Sequence, residues 1–397
     1  MWQKVLTKAL RRMIRSGTLE VHFPNGESSR FGDGSEPSTT IRIHDPSFAR
    51  RFLTNPELAA GEGYMRRWYT IDDDDLHGLL GLGIRNIAAG TVVSAETLFG
   101  PVLKRVNQFN TARLARRNVA HHYDLSATLY DMFLDADKQY SCAYFRTETD
   151  TLEAAQQQKK AHIAKKLCLK PSMRVLDIGC GWGGMALTLA EDFGVDVVGI
   201  TLSEEQHRIA RDRVASAGLA GHVDIRVQDY REIHEQFDRI VSVGMFEHVG
   251  VPNYRAYFAQ IHDLLTPEGV ALVHTIGRIT PPGRTSPFIA KYIFPGGYIP
   301  SLSEMARAIE KERLWITDLE VWRLHYATTL RHWYDRFVGD IDRAEALYGE
   351  TFCRMWRFYL AAAEQTFRDG RQAVFQAQLA KAQDAVPLTR DYMHGMS

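Results

Sequence analysis

The chain has no surplus of charge, few cysteines and no long apolar run, and each absence removes a class of function. Lys plus Arg and Asp plus Glu both number 48, so no global field draws in nucleic acid or an anionic surface, and any such attraction must be local. Nucleic acid is therefore not expected as a partner. The four cysteines, Cys142, Cys168, Cys180 and Cys353, form no C-x-x-C pair and no secreted framework, so thiols in a reducing cytoplasm are expected. No apolar stretch approaches the length of a membrane span, and the first residues lack the continuous apolar segment of a secretory signal. A length of 397 residues with 45% hydrophobic and 24% charged content suits a globular chain with room for one large and one smaller domain.

What is present at the N-terminus is local and basic. In MWQKVLTKALRRMIRSG, Lys4, Lys8, Arg11, Arg12 and Arg15 precede the first acid, Glu20, while Trp2, Val5, Leu6, Ala9, Leu10, Met13 and Ile14 recur at helical spacing. Such a helix either lies on an anionic bilayer or packs its apolar face on its own domain. Residues 17–45 carry short β-rich runs broken by turn residues. Asp72 to Asp75 read as the charged cap of a following helix, not as a metal site.

From about residue 170 strands alternate with helices. β-rich runs occupy 175–178, 195–200, 223–227, 239–243 and 270–275, and helical patterns occupy 185–193, 204–217 and 254–265. That order predicts an α/β fold with a doubly wound parallel sheet, its ligands lying beyond the carboxyl ends of the strands. A smaller α+β domain over 1–112 would precede a catalytic domain over 113–397, with a Pro- and Gly-rich lid at 277–302. The 326–385 stretch reads as mostly helical.

VLDIGCGWGG (175–184) is a strand running into a glycine-rich turn and then a helix. Gly179, Gly181 and Gly183 permit close backbone approach to a ligand. The spacing departs from the dinucleotide fingerprint, because Asp177 sits inside the motif. A phosphate cradle avoids an acid so placed; the sulfonium and ammonium of S-adenosylmethionine welcome one. The alternative role of Asp177 is a turn cap. About twenty positions on, where a ribose contact belongs, the chain reads GITLSEEQ (199–206), so Thr201 with Gln206 or Glu204 is the candidate. Asp229 and Tyr230 follow the third strand, where an adenine ring is expected.

Taken together, the stretches NVAHHYDLS (118–126), QYSCAYF (139–145), LDIGCGWGG, GITLSEEQ, SVGMFEHVG (242–250), HTIG (274–277), IFPGGYIPS (293–301) and HYATTLRHW (325–333) resemble, in order, those of the cyclopropane-fatty-acyl-phospholipid synthase family, with the mycolic acid cyclopropane synthases. The likeness covers about residues 115–385. It implies a class I S-adenosylmethionine-dependent methyltransferase fold and transfer of a methylene from the donor to the cis double bond of a phospholipid acyl chain, with ring closure after proton loss. The alternatives are a methyl or methylene branch on an unsaturated lipid, or methylation of another small substrate. The resemblance places Tyr140 and Ser141 at the donor and a bicarbonate ion among Cys142, Glu247, His274, Ile276 and Tyr326. It also implies a homodimer and a cytoplasmic enzyme, peripheral on the inner face of the membrane. One departure stands out: Arg231 occupies a position where the family carries an acid.

The chemistry accounts for these residue types. Alkene attack on a sulfonium moves a positive charge onto carbon, so the pocket must be dry, because water would trap the cation. Tyr123, Tyr144, Phe145, Phe246 and Tyr326 are candidate aromatic walls, with Tyr292 of the lid; core packing is the alternative, and the better one for Tyr144 and Phe145. A bound oxyanion is a sufficient base for the final proton. Backbone amides at Cys142 and Ile276, His274 and Tyr326 would donate to it, and Glu247 would accept its hydroxyl proton. His248 then supports the loop. Arg284 and Lys291 in the lid suit either a lipid phosphate or an ordinary charged surface.

Overall fold

The computed structural model describes residues 1–89 and 127–394. The domain boundary expected at 112, the NVAHHYDLS stretch and Tyr123 fall outside them. The chain divides into two compact units, one drawn from Met1–Leu103, Thr285–Pro295 and Ala327–Gln372, the other from Lys104–Arg284, Gly296–Tyr326 and Ala373–Ser397. This departs from two consecutive domains: the middle of the expected lid and the segment after Tyr326 are grouped with the N-terminal residues.

The first unit holds helices α1 (Trp2–Met13), α2 (Phe48–Thr54), α3 (Pro56–Met65) and α4 (Leu76–Ala88) and strands β1 (Thr18–His22), β2 (Ser28–Gly32), β3 (Ser38–Ile43) and β4 (Tyr69–Ile71). The sheet order is β2-β1-β3-β4, with β1 and β3 parallel. Strand β3 buries alternate residues, the period of a one-faced strand. Helix α1 seats Leu6 and Leu10, followed by Ile14, in the core. The Asp75 side chain caps α4 by accepting the Gly78 N–H at 2.9 Å, as the acidic run suggested.

The second unit carries β5 (Arg174–Ile178), β6 (Asp196–Thr201), β7 (Val223–Val227), β8 (Phe237–Val243), β9 (Leu265–Arg278), β10 (Trp315–Trp322) and β11 (Gln372–Ala380), the last beginning in the unit from Ala373. Their order is β10-β11-β9-β8-β5-β6-β7. Strands β5 to β9 run parallel, while β10 and β11 are antiparallel to each other. Helices α5 (Leu152–Lys166), α6 (Gly184–Phe193), α7 (Glu204–Ser216) and α8 (Tyr254–Leu264) flank the strands, and two apolar clusters cover the sheet. The α/β reading and its five strands are thus present. Strand β11 corrects the helical reading of 326–385 at its end; from Ala373 it is buried throughout, Gln376 and Gln378 included.

The strand order reverses beside β5. The chain passes from β5 outward through β6 and β7, then returns to place β8 on β5's other side. The connections leaving the carboxyl ends of β5 and β8 therefore run to opposite sides, and the crevice between them is where an open α/β sheet binds its ligand.

Candidate active site

The turn after β5 forms one half of the site. Gly179, Gly181 and Gly183 have φ of 82°, 55° and 83°, the left-handed region that glycine enters without strain. The Gly179 and Cys180 N–H groups both donate to the Ile200 carbonyl of β6, at 3.0 and 2.9 Å, so the turn is pinned to the neighbouring strand. Asp177, in β5, is 2% exposed, and its Oδ2 has no hydrogen-bond partner among the described residues. Burial raises its carboxyl to about 7, opposed by the charge of Lys159. A buried acid with an open oxygen beside an open turn fits the cationic end of S-adenosylmethionine.

At the end of β6, Thr201 Oγ1 donates to Gln206 Oε1 at 2.8 Å, leaving the Gln206 amide nitrogen to donate elsewhere. Gln206 is buried beside Thr201, whereas Glu204 is exposed. After β7, Asp229 is held by Arg231, whose Nε and Nη2 donate to its two oxygens at 2.8 and 2.6 Å. Arg231 thus neutralises Asp229. Tyr230 packs edge-on against Tyr257 at 5.4 Å. Tyr140 lies against Tyr130, with ring centroids 5.3 Å apart.

The second half follows β8 and β9. Glu247 lies in a short helical turn after β8, and its Oε1 accepts the Ile276 N–H at 2.6 Å. Its Oε2 has no partner among the described residues, and burial raises the carboxyl to about 7. The Ile276 amide, expected to face a bound anion, instead orients Glu247, which corrects its assigned role. His274, on β9 and paired in register with Val243, is 2% exposed. Gln376 of β11 donates its amide to His274 Nδ1 at 3.0 Å, which places the proton of a neutral imidazole on Nε2. Burial holds that imidazole neutral by lowering its basicity.

Cys142 and Tyr326 are both buried. The Phe145 N–H donates to His325 Nδ1 at 3.2 Å, which joins the 139–145 segment to the residue preceding Tyr326. Tyr144 is sandwiched between His162 and His325 at 4.7 and 4.8 Å, a packing role. Phe246 is wholly buried on Tyr254, Tyr257 and Phe258 and belongs to the core, not to a pocket wall. In the first unit Tyr292 and Lys291 both donate to Glu62 Oε1, at 2.7 and 2.6 Å, so Lys291 forms an ion pair at the surface, one of its two expected roles.

Sequence reasoning missed Gln376 and Lys159. Gln376 gave no signal, since a glutamine in QAVFQAQLA reads as polar filler. Lys159 did leave one: it falls on the same helical stripe as Leu152, Ala155, Gln156 and Ile163, all buried, and a charge on an apolar stripe marks a buried polar site.

Comparison with known proteins identifies the family. Residues 110–377 match the mycolic acid cyclopropane synthetase family, and residues 5–80 match a domain family of unknown function. The chain is 42% identical over 338 residues to cyclopropane-fatty-acyl-phospholipid synthase of Escherichia coli, covering 85% of this chain and 86% of that protein. It is 36% identical to a probable fatty acid methyltransferase of Pseudomonas putida, covering 96% and 98%. The cyclopropane synthase MmaA2 from Mycobacterium tuberculosis superposes with a TM-score of 0.65 at 34% identity, over 67% of this chain and 98% of that one. Coclaurine N-methyltransferase, at 19% identity and a TM-score of 0.65, shares the fold. The chain belongs to the mycolic acid cyclopropane synthetase family of S-adenosylmethionine-dependent methyltransferases.

Proposed function

We propose that this enzyme adds the methylene of S-adenosylmethionine across a cis double bond of a phospholipid acyl chain, closing a cyclopropane ring. The observation that carries this reading is Glu247: a buried carboxylate oriented by the Ile276 backbone amide, one oxygen open, with the buried neutral imidazole of His274 two residues earlier on the same strand. Ring closure from the carbocation releases a proton, which needs a base within hydrogen-bond reach of the reacting carbon.

When bound, the donor supplies an electrophilic methyl next to a full positive charge. The chain's own residues do the rest. Asp177 receives the cationic end, and the turn at 179–183 allows close backbone approach. Gln206 donates toward the ribose, while Tyr230 offers a ring for adenine. Glu247, with Oε1 fixed on Ile276, holds its Oε2 toward the reacting carbon. In the fuller form of this reading, a bicarbonate ion stands between them: its hydroxyl donates to Glu247 Oε2, which makes its other oxygens more basic, while His274, through Nε2–H, and Tyr326 donate to it. Cys142 contributes backbone. A charged side chain facing the carbocation directly risks capture by it; a held oxyanion reduces that risk.

The lipid reaches the protein at a surface, and α1 is suited to one. Leu6 and Leu10 are buried, whereas Trp2 and Val5 are 41% and 45% exposed beside exposed Lys4, Lys8, Arg11 and Arg12. No helix among the described residues is long and apolar enough to cross a membrane. We therefore propose peripheral contact with an anionic inner leaflet through these residues, by a cytoplasmic homodimer. The test uses methyl-labelled S-adenosylmethionine and vesicles of cis-unsaturated phospholipid. Label in the acyl chain is expected; label confined to a head group or to a soluble amine contradicts the reading.

A further inference from the structure

Helix α5 carries an ammonium into the interior beside the donor site. Lys159 has no measurable exposure, and its Nζ donates to Gln139 Oε1 at 2.7 Å and to Ser141 Oγ at 2.8 Å. Both acceptors are neutral. Among the described residues no carboxylate forms an ion pair with Lys159, whereas the adjacent Lys160 takes Asp137 at 2.6 Å. One turn earlier on the same stripe, Gln156 Nε2 donates to the carbonyls of Gln139 and Ser141 at 3.1 and 3.0 Å. The helix thus grips the 139–141 segment by backbone and by side chain.

A buried cation with only neutral partners is costly. Burial lowers Lys159 to about 8, offset by the charges of Asp135 and Asp137, so it remains mostly charged at neutral pH. Ser141 Oγ accepts from Lys159 with one of its two lone pairs, which leaves its hydroxyl hydrogen to be donated. A hydroxyl polarised by an ammonium is a strong donor to an anion. Asp177 lies within electrostatic reach of Lys159. The site therefore offers an acid for an ammonium and an ammonium-backed hydroxyl for a carboxylate, the two charges of an α-amino acid.

We infer that Lys159 is a positioning residue for the donor, acting through Ser141 to hold the carboxylate of the methionyl group. The inference rests on the use of S-adenosylmethionine described above and adds which residue reads its amino-acid end. The experiment compares, by calorimetry, the affinities of the intact protein, Lys159→Met and Ser141→Ala for S-adenosylmethionine and for its decarboxylated analogue. Removing a charge-assisted hydrogen bond should weaken S-adenosylmethionine binding by about 10- to 100-fold in both variants. The analogue, which lacks the carboxylate, should bind all three proteins alike to within about twofold. Lys159→Arg should restore part of the discrimination.

A lysine that merely stiffens the fold predicts equal losses for both ligands, and that result overturns the inference. So does unchanged donor affinity together with a raised bicarbonate requirement, which would assign the ammonium to the smaller anion. Failure of the intact protein to bind either ligand would instead overturn the cofactor reading itself, and the inference with it.

Discussion

Glu247 Oε1 and the Ile276 N–H are joined at 2.6 Å across the ends of neighbouring parallel strands. The contact fixes one oxygen of a buried carboxylate and leaves the other, Oε2, without a partner among the described residues. It explains why an acid stands at the mouth of the apolar strand RIVSVGMF: the strand register brings β9's backbone amide to it, and burial raises the carboxyl to about 7.

Glu247→Gln should keep the shape and lose the carboxylate that holds the base. Turnover should fall by about 10²- to 10⁴-fold, with donor affinity unchanged in calorimetry. Stability should move the other way. In the folded protein the carboxyl stays protonated up to about pH 7, whereas in the unfolded chain it ionises near 4.3. Stability of the parent thus declines as pH rises through that window. The glutamine variant lacks this decline and should be the more stable protein at pH 8, by up to about 4 kcal/mol; denaturant unfolding at pH 5 and pH 8 measures it.

The parts of this site legible in the sequence were those set by local chain chemistry. The turn at 175–184 declared itself through strand, glycines and helix in succession, whereas Glu247 stood out through the likeness of SVGMFEHVG to the family's stretch. Relationships between distant segments were not legible. The Gln376 contact with His274 depends on β11 entering the sheet beside β9, and a strand buried on both faces has no alternation to reveal it. The docking of Lys291 and Tyr292 on Glu62 joins positions about 230 residues apart. Phe246 looked like a pocket wall because it lies in the SVGMFEHVG stretch, yet its ring packs in the core.

Donor binding should weaken in acid. Asp177 is protonated below about 7 in the free protein, and a cationic ligand binds its ionised form. Affinity for S-adenosylmethionine should be full at pH 8 and about tenfold lower at pH 6. Asp177→Asn should bind more weakly and lose this dependence. Calorimetric titrations across the range measure both.

Gln376→Leu should leave the fold and donor affinity intact while removing the partner that sets the His274 tautomer. Turnover should fall by about 10-fold or more, and the imidazole proton should distribute over both nitrogens. Nitrogen NMR of labelled histidine reports the tautomer directly, separate from activity.

Glu62→Ala should release Lys291 and Tyr292 within the first unit. Two hydrogen bonds to a largely buried carboxylate are lost, so stability should drop by about 1–3 kcal/mol. Glu62→Gln, which keeps an acceptor, should cost less. Chemical unfolding of the two variants against the parent compares them.

The identity of the product tests the central claim most directly. Fatty acids released from vesicles of cis-unsaturated phospholipid, after incubation with the enzyme and methyl-labelled S-adenosylmethionine, should carry the label in a chain one CH2 heavier that resists mild hydrogenation and shows the high-field proton signals of a cyclopropane ring. A labelled chain that takes up hydrogen and lacks those signals would contradict ring closure and make the enzyme a methyltransferase of the alkene.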